Sequence, residues 1–346
     1  MKKIGIVGHF GFGHKLLNGQ TIKVKILSEE FQNELGSENV MTVDTHGGAK
    51  RVLAMIGNTI TMFRNCENCM VLPAYKGVLV FTPLFSLLNK FYHRKTYYIV
   101  VGGWLDSYLD RYKWLEKQLK NYTAICVETT TMKKALEKRG FQNIELMKNC
   151  KKLQKLSFEE LPHSFTEPYA LCTFSRVMKE KGIENLINAI KKVNEKFGSV
   201  VFTLDIYGEV WKNYTHEFEE LQKNFPEYIK YKGSVNYDES VETLKNYFAL
   251  VFPTLFYTEG IPGTIIDAYA AGLPVISSKW ESYDDVIEDN ITGIGYKFGS
   301  DDALVETLEM IKSNPQKTID MKEACLRKAK DFSPKVIVSG FIRKFF

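Results

Sequence analysis

The chain has 346 residues, 45% hydrophobic and 25% charged, a globular composition of a length that suits two domains better than one. No stretch reaches the ~18 apolar residues of a membrane span, and the opening M-K-K-I-G-I-V-G enters a strand without the apolar core or cleavage site of a signal peptide. Residues 1–150 carry 21 Lys and Arg against 12 Asp and Glu, and the remainder 25 against 29, so a basic half joins an acidic half under a net charge of +5. That division implies two domains with different partners; nucleic acid, an anionic membrane surface or phosphorylated substrates would all suit the basic half. The six cysteines are scattered. Cys66-x-x-Cys69 has no second pair or neighbouring His to complete a zinc set, so the cysteines read as reduced thiols of a cytoplasmic protein.

In chain order, apolar strand-like runs occur at Lys3–Val7, Val40–Val43, Met70–Leu72, Tyr97–Val101, Ala124–Val127 and Ile144–Met147. Helix-like runs such as Thr21–Leu35, Leu105–Lys120 and Thr130–Arg139 lie between them. Continuous apolar strands separated by helices predict a parallel, doubly wound sheet. The pattern dissolves between Asn149 and Pro168 and then restarts. Tyr169–Phe174, Val200–Ile206, Tyr228–Tyr231, Ala249–Phe252 and Pro274–Ser277 read as strands, Asn185–Phe197 as a helix, and the last 40 or so residues as helices. The prediction is α/β: two Rossmann-like doubly wound parallel-sheet domains, 1–155 and 156–333, with a C-terminal helix over 334–346 crossing back to the first. Ligands of such sheets sit at the carboxyl ends of the strands, so two facing domains predict an interdomain cleft.

Three stretches could carry chemistry. After the first strand, G-H-F-G-F-G-H-K-L-L-N-G-Q-T lacks the third glycine of a dinucleotide fingerprint, because Leu16 stands there, and Asp44 lies too far on. What remains is a loop, then Asn18-Gly19 at a helix start, where a residue without Cβ lets backbone approach a ligand. The second domain opens with Arg176 just past its first strand and Lys181 before a helix, two cations able to neutralise a diphosphate. The stretch from Phe252 to Ser277 reads as strand, loop, helix start, helix, glycine stop, strand. Glu259 stands at the loop mouth and Asp267 eight positions on, about two helical turns later and so on nearly the same face.

Arg176 … Lys181-Gly182 … Asn185-Leu186-Ile187, then Gly208, Gly233 and P-T-x4-E-G-x6-D-A-Y-A-x-G-x-P-V-I, resemble the nucleotide-sugar half of retaining GT-B glycosyltransferases of the family 4 type. The segment Asp285-Val286-Ile287-Glu288-Asp289 … Thr292-Gly293 is similar to a further motif of that family. The resemblance covers essentially 169–296; in the first half it rests on Asn18-Gly19 and on Asn149. It implies that Arg176 and Lys181 hold the donor diphosphate and that Glu259 bonds hydroxyls of the donor sugar. The backbone of Gly260, Ile261, Pro262, Gly263 and Thr264 would cap the phosphates, with Asn18, Gly19 and Gly208 also at the donor. Asp267 stands where the family has Glu for the ribose hydroxyls, one methylene shorter. Many members carry a His after the fourth strand; this chain has Val101-Gly102-Gly103-Trp104. Either amides of Gly102 and Gly103 replace it on the acceptor side, or His9 or His14 does, or the site is altered.

The implied reaction is transfer with retention from a nucleoside-diphosphate sugar, of UDP or GDP type, to a glycan or lipid-linked acceptor in surface polysaccharide synthesis. It implies no cofactor, no metal and no nucleic acid. A non-catalytic subunit of the same fold and a sugar-nucleotide epimerase are the alternatives. Lys113, Lys117 and Lys120 fall on one face of the helix predicted over 105–120. In relatives the corresponding helix rests on anionic lipid, which implies a peripheral position on the inner face of a membrane; a solvated face is the competing reading.

Overall fold

The computed structural model describes residues 1–14, 19–47, 51–73 and 75–346. The chain forms two compact units, Met1–Lys152 with Phe332–Phe346, and Leu153–Asp331. In the first, β1 (Lys2–Gly8), α1 (Gly19–Leu35), β2 (Val40–Asp44), α2 (Val52–Asn65), β3 (Cys66–Leu72), α3 (Val78–Tyr92) and β4 (Lys95–Ile99) alternate. They are followed by α4 (Leu105–Arg111), α5 (Trp114–Leu119), β5 (Ala124–Val127), α6 (Thr130–Lys138) and β6 (Ile144–Leu146). The six strands lie in the order β2-β1-β3-β4-β5-β6, every pair parallel. Parallel strands need crossover helices that cover both faces, and for that reason β1 is buried continuously from Ile4 to Gly8 after its two opening lysines, with Ile4, Ile6 and Val7 fully buried.

The second unit runs β7 (Tyr169–Phe174), α7 (Ile183–Phe197), β8 (Phe202–Tyr207), α8 (Thr215–Gln222), β9 (Ile229–Gly233), α9 (Ser240–Leu244), β10 (Ala249–Phe252) and α10 (Gly263–Ala270). Then come β11 (Val275–Ser278), β12 (Gly293–Tyr296), α11 (Asp301–Ser313), α12 (Pro315–Asp320) and α13 (Lys322–Lys328). Its parallel order is β12-β11-β10-β7-β8-β9, so the direction of winding reverses between β7 and β10. In a doubly wound sheet that reversal opens a crevice at the carboxyl edge. The last helix, α14 (Pro334–Phe345), belongs to the first unit. Its Phe341 ring meets Phe31 of α1 at 5.8 Å and Tyr97 of β4 at 4.9 Å.

Two expectations are corrected. The helix predicted over 105–120 is two helices, because the chain turns at Tyr112 (φ −126, ψ 58). On an unbroken helix Glu116 would stand about 80° round from Asp106. The turn instead brings Asp106, Asp110 and Glu116 all to the Arg139 guanidinium. The second sheet also has a strand, β12, that the sequence pattern did not reveal. Among the described residues no helix is long and apolar enough to cross a membrane; α3, which is apolar and contains Pro83, packs through Val78, Phe81, Phe85 and Leu88.

Candidate functional site

The reversal between β7 and β10 gathers the second unit's charged candidates. Beyond β7, residues 175–177 are pinned to the segment after β8: Val177 N donates to Glu209 O at 2.9 Å, and Trp211 N donates to Val177 O at 2.9 Å. Arg176 stays exposed, its guanidinium carbon 5.0 Å from the centre of the Trp211 ring. A single helical turn over 179–181 then leads to Gly182 (φ 66), where a Cβ would lie 2.0 Å from Pro253 O. Glycine is required there because the loop after β7 packs onto the loop after β10; Leu255 N donates to Glu180 O at 2.8 Å across the same seam.

That seam sets Lys181 against Glu259, whose Nζ and Oε1 form an ion pair with both side chains largely buried. The Thr254 hydroxyl donates to the same Oε1 at 3.2 Å, and the Lys181 ammonium lies 5.2 Å from the centre of the Phe252 ring. Gly260, Ile261 and Pro262 are buried and lead into α10, which begins at Gly263 with no side chain capping its first turn. An uncapped helix start presents backbone N–H groups and the positive end of the helix dipole. Thr264 Oγ1, in that first turn, is buried without a hydrogen-bond partner in the protein. Two cations, a carboxylate, an orphaned hydroxyl and a helix start therefore share one sheet edge, an arrangement suited to a polyanion carrying hydroxyls.

Glu259 precedes α10, so the helical-face relation expected between Glu259 and Asp267 does not exist. Asp267 lies on the inner side of α10, 2% exposed, and accepts from Ser240 Oγ at 3.0 Å. Gly208 (φ 134) is demanded by the fold: a Cβ would stand 1.9 Å from Ser175 O. Asp289 is a structural clasp, accepting from Lys279 Nζ at 2.7 Å, Gly295 N at 2.9 Å and the Tyr283 hydroxyl at 3.1 Å.

Of the candidates in the first unit, Asn18 lies outside the described residues. Gly19 opens α1, and a Cβ there would meet nothing within 4 Å among the described residues, which therefore do not require glycine at that point. Gly102 (φ 84) donates its N–H to Glu128 Oε2 at 3.2 Å, which corrects the expectation that this amide is free to replace an imidazole. Glu128 in turn pairs with Lys23 of α1 at 2.5 Å, the two side chains 3% and 1% exposed. Gly103 is buried, and Trp104 donates Nε1–H to Val101 O at 2.7 Å with its ring 5.2 Å from those of Tyr75 and Tyr108. The His14 ring lies 4.7 Å from that of His46, while His9 Nε2 approaches His46 Nδ1 at 3.2 Å and His9 Nδ1 approaches Thr21 Oγ1 at 2.8 Å. Asp44 orders this histidine loop by accepting the N–H groups of Phe10, Gly11, Phe12 and His46. Burial alone would raise its carboxyl, but those four donors hold it below the usual carboxylate range.

Lys23, Glu128 and His46 were not singled out from the sequence. Glu128 did carry a signal, a charge immediately after an apolar strand, which is where a doubly wound sheet presents groups to a ligand. No group of three His, Cys, Asp or Glu able to hold a metal occurs among the described residues.

The sequence profile of the family described as Glycosyl transferases group 1 matches residues 154–330, just over half of the chain. This protein belongs to the Glycosyl transferases group 1 family. The matched residues coincide closely with the second unit and include Arg176, Lys181 and Glu259. Among curated proteins, an uncharacterized glycosyltransferase of Methanocaldococcus jannaschii is 23% identical over 165 residues, covering 45% of this chain and 39% of that protein. The amylovoran biosynthesis glycosyltransferase AmsK of Erwinia amylovora is 24% identical over 138 residues, covering 39% and 33% respectively. These matches thus span between a third and two-fifths of the relatives' length. Among solved structures, Anabaena Alr3699/HepE in complex with UDP and glucose superposes with a TM-score of 0.75 at 13% identity, covering 99% of both chains. Sucrose-phosphate synthase of Thermosynechococcus elongatus gives 0.76 at 14%, covering 100% and 98%. At such identities the likeness is one of fold, the paired Rossmann-like units of GT-B.

Proposed function

We propose that this group 1 glycosyltransferase moves a sugar, with retention, from a nucleoside-diphosphate donor of UDP or GDP type to a glycan or lipid-linked acceptor in surface polysaccharide synthesis. The observation that carries the reading is the meeting of Arg176, the Lys181–Glu259 pair and the uncapped start of α10 at the point where the second sheet reverses. UDP in complexes of the Anabaena protein and amylovoran biosynthesis in the Erwinia relative support the donor type and the setting.

In this reading the bond from the anomeric carbon to the diphosphate breaks with its electron pair going to the phosphate oxygen. Arg176, Lys181 and the first amides of α10 stabilise that charge; such preorganised stabilisation is commonly the largest catalytic term. Lys181 must then exchange Glu259 for phosphate, which releases the carboxylate to accept from sugar hydroxyls. The acceptor oxygen bonds the anomeric carbon on the same face, and its proton passes to the departing phosphate oxygen. No carboxylate is assigned as a covalent nucleophile, since Glu259 is engaged with hydroxyls.

Asp267 would serve the ribose by exchanging Ser240 for a ribose hydroxyl. Gly19, Gly208 and the Gly260–Thr264 backbone would line the donor, and Trp104, Gly103 and His14 the acceptor. The test is incubation of the purified protein with labelled nucleotide sugars. Slow donor hydrolysis, with the α or β form of the released sugar read by NMR, supports the reading. Absence of any thermal stabilisation by UDP, GDP or ADP overturns it.

A further inference from the structure

The two cations of the second unit are held in different ways. Lys181 is already compensated by the Glu259 carboxylate. Arg176 forms no ion pair among the described residues, although an acid stands opposite it. Past the ends of β7 and β8, Val177 pairs in parallel with Val210. That register sets Arg176 across from Glu209. It also puts Arg176, one step before the bridge, on the same face as Trp211, one step after it, because neighbours along an extended chain alternate in direction. The guanidinium takes the ring rather than the carboxylate, its carbon 5.0 Å from the ring centre.

The backbone of Trp211 is fixed at both ends. Its N–H donates to Val177 O at 2.9 Å, and its C=O accepts from Tyr214 N at 2.7 Å. Tyr214 is itself buried, with its ring 6.3 Å from that of Phe218. Trp211 is nevertheless 44% exposed, so it presents a surface rather than filling the core. A cation over an aromatic face is attracted by the ring quadrupole, most strongly for tryptophan. Such a contact restricts a long, flexible side chain without placing a carboxylate on its donors. The N–H fork of Arg176 therefore stays available to a phosphate, which a guanidinium bonds bidentately. Pairing with Glu209 would instead occupy the fork and cancel the charge.

We propose that Trp211 is a positioning residue for the donor diphosphate: it holds the Arg176 guanidinium against its ring, charged and with its donors open, where the phosphates arrive. The proposal deepens the transferase reading and rests on it. The two cations then divide the task. Arg176 meets the diphosphate without first giving up a carboxylate, whereas Lys181 joins by exchanging Glu259 for phosphate. Trp211 acts through Arg176 and makes no contact of its own with the donor.

The test is titration calorimetry of the full chain with UDP or GDP, whichever the wild type binds more tightly. Trp211→Leu keeps an apolar side chain and removes the π-face. It should melt near the wild type and bind the nucleotide about two- to five-fold more weakly, the equivalent of the ~0.5–1 kcal/mol of an exposed cation–π contact. Trp211→Phe keeps a π-face and should recover most of that loss. In an Arg176→Gln background Trp211→Leu should cost nothing further, since the cation it positions is gone; a merely structural role would subtract the same factor in both backgrounds. Undiminished binding by Trp211→Leu overturns the proposal. So does Trp211→Phe binding as weakly as Trp211→Leu, or an equal loss with and without Arg176. A wild type that binds none of UDP, GDP and ADP overturns the transferase reading and this proposal with it, whereas the three preceding results overturn this one alone.

Discussion

Removing Glu259 should separate donor binding from transfer, with opposite signs. In the free protein the Lys181 ammonium is compensated by Glu259, and the side chains are 19% and 14% exposed. A unit charge at 4 Å in surroundings of effective dielectric ~20 is worth about 4 kcal/mol. Partial exposure and rearrangement around a diphosphate reduce that to about 1–2 kcal/mol, or roughly five- to thirty-fold in affinity. Glu259→Gln therefore should bind UDP or GDP, without a sugar, five- to thirty-fold more tightly, because one negative charge no longer opposes the phosphates. Its transfer rate should nevertheless fall, since the amide can no longer accept from two sugar hydroxyls as a carboxylate does. Lys181→Met should lose a similar factor in nucleoside-diphosphate affinity and about 10²–10³-fold in transfer. Titration calorimetry with UDP and GDP reads the binding, and initial rates with the matching sugar nucleotide read the transfer. Unchanged nucleoside-diphosphate affinity in both variants, with melting temperatures near that of the wild type, would refute the placement of a diphosphate against this pair.

Other consequences can be checked directly. Gly208→Ala should destabilise the protein by several kcal/mol in a urea melt, because its Cβ would stand 1.9 Å from Ser175 O at a φ of 134. By contrast Gly19→Ala, with nothing among the described residues within 4 Å of the added carbon, should leave the melt unchanged and weaken donor binding. Lys322 is 2% exposed, and burial lowers its ammonium to about 8 from an ordinary 10.5. The unfolded chain then binds more protons between about pH 8 and 10.5, so this group's destabilisation is complete below pH 8 and fades as pH rises through that window. Lys322→Met should raise stability at pH 7 by at most about 3 kcal/mol, less the cost of depriving Tyr247 O of its donor, with the gain shrinking by pH 10. All six cysteines are buried and unpaired, with burial pushing thiols such as Cys126 and Cys150 up to about 12. A thiol reagent at pH 8 should find none in the native protein and six after unfolding.

What the sequence disclosed depended on whether cause and consequence lay close together in the chain. The strands around Lys3–Val7 and Ala249–Phe252 are apolar on both faces because they are interior to their sheets, and that is written in consecutive residues. β12 is hidden because its sequence, G-I-G-Y, argues against a strand. Its glycines answer to distant groups: a Cβ at Gly293 would lie 2.2 Å from Val275 O, and one at Gly295 2.6 Å from the Tyr283 hydroxyl. Spacing misled in a related way. Counting eight residues from Glu259 to Asp267 gives a common face only if the helix spans both, and it starts at Gly263. The charges of the loop after β7 were legible because Arg176 and Lys181 follow a strand end, yet the partner of Lys181 is 78 residues away.

The same limit explains Lys23 and Glu128, 105 residues apart and each ordinary alone. Taking two charges out of water costs several kcal/mol per ion, so a pair 1% and 3% exposed stabilises the fold less than apolar residues of similar shape could. Glu128 has a second task in receiving Gly102 N–H, which holds the left-handed turn (φ 84) leading to Trp104. A positioning demand at the carboxyl edge of the first sheet accounts for a pair that stability alone would not favour.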